Sequence, residues 1–194
     1  MPLKLNSTGG GSITLEAPNT ASTRTLTLPD GDGTVQMMKL ETAKASTSGT
    51  NIDFTGIPNW VKRITVMFNG VSTNGTSSPI IQLGTSSGAT TSGYTSTGTR
   101  LQDSSAVSVG SSTAGFLIQS ISAANIISGA IQICNVSSNV WVAQGAFTST
   151  ASSSFVFCTT GLISLASTLD RVRVTTVNGT DTFDAGSINV LYEG

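Results

Sequence analysis

Few residues of this 194-residue chain are equipped for chemistry, and no His is among them. That removes the usual general base, the commonest transition-metal ligand and the side chain that titrates between about pH 5 and 8. Nucleophiles activated by Ser-His or Cys-His pairing are thereby excluded. The carboxylates offer two arrangements worth weighing. Asp30-Gly31-Asp32-Gly33 starts like a calcium loop, with Asp30 at position 1, Asp32 at position 3 and Glu41 at position 12. Val35, however, stands where the sharp-turn Gly belongs and Thr34 where a stronger oxygen ligand is usual, so the motif reads as a tight turn. Asp181 and Asp184 lie close in sequence and Asp103 lies near Tyr94, yet neither grouping has the aromatic and carboxylate density of a sugar-cleaving cleft. They read as turn residues, and the chain is expected to be no enzyme, to hold no metal and to need no cofactor.

The remaining reactive or binding-type residues are weighed the same way. Cys134 and Cys158 read as two small buried hydrophobes in a chain folded in a reducing compartment. Four Asn-x-Ser/Thr sequons begin at Asn6, Asn74, Asn135 and Asn178, a consequence of the Ser and Thr content and expected to be unused. Trp60 and Trp141 read as core or subunit-contact anchors. Tyr94, set among Gly, Ser and Thr, has the surroundings of an adaptable binding loop and is the aromatic expected to be exposed. Arg171 and Arg173 share one side of a strand that buries Val172 and Val174, as a solvated face or as ion-pair donors across a subunit interface to Asp170, Asp181 or Asp184.

The charge pattern constrains partners. Nine basic and ten acidic residues give a net charge of -1, and charged residues are only 10% of the chain, against about 25% in ordinary globular domains. Between Arg63 and Asp170 only Arg100 and Asp103 are charged, while 59 residues are Ser or Thr. A nucleic-acid partner would call for a basic stripe, which is missing. The opening residues lack the apolar run of a signal peptide, and no apolar stretch approaches the ~20 residues of a membrane helix. A neutral hydroxyl-rich coat avoids ion desolvation where faces press together, so a symmetric homo-oligomer is expected, with Arg100 and Asp103 on a rim or at a subunit contact.

The elements that position these residues are strands. Helical periodicity is nearly absent; Met37 to Lys44 is the one run of helix formers and reads as linker or a turn or two of helix. Ile13 and Leu15 alternate with polar residues, as do Leu26 and Leu28 before a stop at Pro29, giving a small β module over residues 1–36. A module that short cannot carry a core alone and must dock on something. After a linker at 37–50, residues 51–194 alternate with period two in about eight short strands broken by Gly, Asn and Ser, with residues 84–99 read as a loop. The expected fold is all-β, a β-sandwich head of jelly-roll type.

The quoted segments also resemble a known group. Residues 9–35, GGGSITLEAPNTASTRTLTLPDGDGTV, resemble a segment that recurs in tailed-bacteriophage fibre and head-fibre proteins. Residues 52–94, IDFTGIPNWVKRITVMFNGVSTNGTSSPIIQLGTSSGATTSGY, are similar to a module of phage and prophage virion proteins. The resemblance implies a virion appendage, made in the host cytoplasm and resident on the particle. On it, Ile13, Leu15, Leu26, Leu28 and Pro29 form the docking module, and the Tyr94 loops belong to a distal head that is trimeric. It implies as partners other copies of the chain, other virion proteins of tail or capsid, and a host surface glycan or protein, with neither nucleic acid nor membrane. A short tail fibre or spike is the leading expectation and a capsid decoration or head-fibre protein the alternative. Residues from about 100 onward carry no resemblance.

Overall fold

Alternation of β-branched and small polar residues does in the folded chain what it predicts: among the described residues all regular elements are strands, in an all-β architecture whose two main sheets pack as a sandwich. The computed structural model describes residues 3–16, 21, 23, 36–102, 107–149 and 154–194. The chain divides into two units, Met1–Val35 and Gln36–Gly194.

In the first unit β1 (Leu3–Asn6) and β2 (Ser12–Leu15) form an antiparallel hairpin with Leu3 opposite Leu15 and Leu5 opposite Ile13. The turn is closed by the Ser7 amide donating to the Gly11 carbonyl at 2.7 Å and the Gly10 amide to the Ser7 carbonyl at 3.1 Å.

In the second unit the strands are β3 (Met38–Leu40), β4 (Lys44–Ala45), β5 (Asn51–Thr55), β6 (Arg63–Thr73), β7 (Pro79–Thr85), β8 (Gly88–Ala89), β9 (Thr95–Gln102) and β10 (Ser108–Ser112), followed by β11 (Phe116–Leu117), β12 (Ile127–Ser137), β13 (Val140–Ser149), β14 (Phe155–Ser164), β15 (Arg171–Thr176) and β16 (Phe183–Glu193). The large sheet runs β10-β9-β14-β13-β12-β6-β16-β3, with β4 also on β16; the small sheet runs β11-β7-β15-β5, with β8 on β7. Between them lies one core, built from Ile64, Val66, Ile131, Ile133, Phe157 and Val190 of the large sheet and Ile81, Leu83, Val172 and Val174 of the small one, all essentially inaccessible.

Two expectations need correction here. Residues 37–50 are not a linker. β3 and β4 pair with β16, the Met37 amide donates to the Gly194 carbonyl at 2.8 Å, and the buried Ser46 donates its amide to the Gly186 carbonyl and its hydroxyl to the Ala185 carbonyl. The edge of β16 supplies unpaired backbone groups, and satisfying them outweighs the weak helix propensity of Met37 to Lys44.

The segment read as a loop over 84–99 likewise contains β8 and the start of β9, which lies between β10 and β14. Its inward side chains are Ser96 and Gly98 because β11 crosses them closely: a Cβ on Gly98 would sit 2.6 Å from the Leu117 carbonyl oxygen. That close approach erased the apolar alternation that marks a strand.

Hydroxyls are also structural inside the sandwich. Ser96 accepts from the Leu117 amide at 3.0 Å and donates to the Thr160 carbonyl at 3.2 Å, and Thr159 donates to the Leu117 carbonyl at 2.8 Å. These bonds tie β11 of the small sheet to β9 and β14 of the large one. Part of the Ser and Thr excess is therefore internal stitching, where a small polar group with a satisfied partner fits a close sheet contact.

Candidate functional site

The N-terminal hairpin gathers the first set of candidate residues. Directly opposed residues of an antiparallel pair share a face, as do residues two apart along a strand. Leu3, Leu5, Ile13 and Leu15 therefore form one apolar face, with Lys4, Asn6, Ser12 and Thr14 on the other. All four aliphatic side chains are exposed, Ile13 at 68%. A two-stranded hairpin is marginal in water without something on its apolar face. Leu3 and Leu5 join the face although the sequence pattern drew attention only to Ile13 and Leu15; the signal was present in their own alternation with Lys4 and Asn6. Leu26, Leu28 and Pro29, expected in the same module, lie outside the described residues, as do Asp30 and Asp32.

Tyr94 is not on the surface. It is 2% exposed, its ring meets Phe116 edge-on at 5.2 Å, and its hydroxyl accepts from the Leu83 amide at 2.7 Å and donates to the Leu83 carbonyl at 3.2 Å. The cause lies in the edge of β7. On that side β11 pairs as far as Ile81 and β8 begins at Gly84; the Thr90 amide reaches the Leu83 carbonyl at 2.8 Å, but the Leu83 amide has no backbone partner. The phenol fills the gap, and burial pushes its pKa upward. The small flanking residues that suggested an adaptable loop allow the chain to pass close to the core instead.

Arg173 and Arg171 stand on the outer face of the small sheet, with Asp53 directly opposite Arg173 on β5. Arg173 donates from Nε and Nη2 to the two Asp53 carboxylate oxygens, both at 2.8 Å, and Arg171 Nη1 lies 3.9 Å from the same carboxylate. The fork raises the Arg173 pKa and keeps it charged. The ion-pair partner is thus Asp53 of the same chain, rather than Asp170, Asp181 or Asp184. Asp181 instead accepts from the Ser77 amide and the Asn178 side chain, and Asp184 accepts from the Ser72 hydroxyl. Among the described residues no group of three His, Cys, Asp or Glu side chains comes together as a metal site would require.

Arg100 lies on the inward side of β9, opposite Phe157, with its guanidinium 5.5 Å from the Phe155 ring centre. Asp103 lies outside the described residues. Cys134 and Cys158 are free thiols on β12 and β14, strands separated by β13, and Cys158 is exposed. They are outward-facing rather than buried.

Two of the hollows have mainly polar borders. One of about 180 Å³ is bordered by Pro58, Asn59, Lys62, Ser138, Asn139 and the buried Trp141. The other, about 340 Å³, lies over the small sheet between Arg173, Thr91 and Gly179. Amide, hydroxyl and cationic groups border them.

Comparison with protein-family models, curated proteins and solved structures finds no match.

Proposed function

We propose that this chain is a non-enzymatic structural protein of a bacteriophage particle, a short trimeric tail fibre or spike joined to the virion by its N-terminal unit and presenting the sandwich to the host surface. The observation that carries the reading is the four-residue apolar face of the β1–β2 hairpin, held open on a unit of 35 residues. A unit of that size does not support a core of its own, so a larger assembly is the natural cover for Leu3, Leu5, Ile13 and Leu15. The resemblance of residues 9–35 and 52–94 to phage virion segments is what supports taking that assembly to be a phage particle.

The test is incorporation. Phage carrying Leu5→Asn together with Ile13→Asn should yield particles that lack the protein, while the variant chain accumulates folded in the lysate. Normal incorporation would refute docking through this face. Gold-labelled antibody against the sandwich should mark the tail on wild-type particles; label spread over the capsid shell would make the protein a decoration or head-fibre subunit instead.

A further inference from the structure

We infer that the outer face of the large sheet is an interface with further copies of this same chain. Strand register defines the face. Across six neighbouring strands from β10 to β6, one row runs Val109, Thr99, Cys158, Ala146, Ala130 and Met67. A parallel row on one side runs Ser111, Thr97, Thr160, Gln144, Gln132 and Thr65. Farther along the same strands Leu162, Val142 and Cys134 stand side by side, and at the other end Leu101 is opposite Val156. Val109, Val142, Val156, Leu101 and Leu162 are each at least 36% exposed.

Charge selects the occupant. Among the described residues of β9, β10 and β12 to β14, Arg100 is the one charged side chain, and it faces inward. The first charge met on the face is Arg63, already paired with Glu193 at the strand ends. A charged partner would find no complement here. A second copy meets no like-charge repulsion, which a face carrying net charge always meets against itself. The side chains in the rows are mostly Ala, Val, Thr and Cys, which lose little rotamer entropy when covered. At about 4.8 Å between strands and about 3.4 Å per residue, six strands of about eight residues cover roughly 780 Å². That is close to the ~800 Å² each partner contributes to a stable interface. A shallow hollow at Ala130 and Ala146, between Gln132 and Gln144, gives a neighbour's side chain a seat.

The inference stands without the virion reading, and its test uses the purified full-length chain. Wild-type protein at micromolar concentration should sediment as an oligomer, with Cys158 shielded from a maleimide reagent. Ala146→Glu or Gln132→Glu should lower the mass to that of one chain, 19.7 kDa, and open Cys158 to the reagent. Far-ultraviolet circular dichroism should be unchanged. Asn51→Glu, on the exposed end of β5 in the other sheet, should leave the oligomer intact. A monomeric wild type, or an oligomer indifferent to both glutamates and with Cys158 fully reactive, would overturn the assignment.

Discussion

At the scale of single residues, Tyr94 acts as a substitute for a missing strand, satisfying the Leu83 amide between the reach of β11 and that of β8. Tyr94→Phe keeps the ring and removes the oxygen, leaving a buried N–H unpaired. Stability should fall by about 1–3 kcal/mol, read as a lower urea midpoint with an unchanged slope. The raised phenol pKa also sets a sign. Its stabilising contribution is complete below the ordinary tyrosine pKa of about 10 and is lost as pH rises above it, because the unfolded chain ionises first. Wild-type stability should therefore drop above about pH 10, less steeply in Tyr94→Phe.

Glu193 has the opposite sign. The hydrogen bonds from Arg63 hold its carboxyl below the ordinary value, so its contribution is present above about pH 4.3 and fades as pH falls through the lower folded-state value. Glu193→Gln should flatten the acid limb of a stability-versus-pH curve by slightly lowering the neutral plateau, with the two proteins coinciding at low pH where the wild type has already lost the contribution. A variant as acid-sensitive as wild type would remove Glu193 from that role.

At the scale of elements, β6 and β16 show how a long pair is bent. Their register shifts twice between Phe183 and Ser187. Gly186 lies within this irregular stretch at φ 88°, where a Cβ would come 2.3 Å from the Gly70 carbonyl oxygen. Gly186→Ala meets both the left-handed backbone and a backbone clash. It should destabilise the fold by at least about 1–3 kcal/mol, measured by calorimetry; a midpoint equal to wild type would mean the strands re-register at no cost. The same pair explains why residues 37–50 are ordered, since β16 offers β3 and β4 an edge to complete.

At the scale of the whole molecule, the two units differ in self-sufficiency. Gln36–Gly194 contains a continuous core from both sheets, whereas the described part of Met1–Val35 is a hairpin with an open apolar face. Residues 36–194 expressed alone should fold and unfold cooperatively with a midpoint within about 2 °C of the full chain's main transition. Loss of that transition would show that the N-terminal unit contributes to the sandwich.

Period-two alternation, visible in Ile64-Val66-Phe68 or Ile131-Ile133, determined the all-β fold and the inward residues of those strands, because successive side chains of a strand point to opposite faces whatever its neighbours. The open face at Ile13 and Leu15 was legible for the same reason. The tertiary structure decided everything that depends on long-range pairing. Asp53 meets Arg173 across 120 residues, β3 finds β16 at the opposite end of the second unit, and Tyr94 turns inward to fill a gap between two other strands. Local composition cannot register such contacts, since the partner's backbone, and not the residue's own neighbours, determines whether a Tyr is buried or a Gly is needed. The charge-poor middle of the chain shows the division most plainly: its neutrality is written in the sequence, but only strand register gathers that neutrality on one outer face.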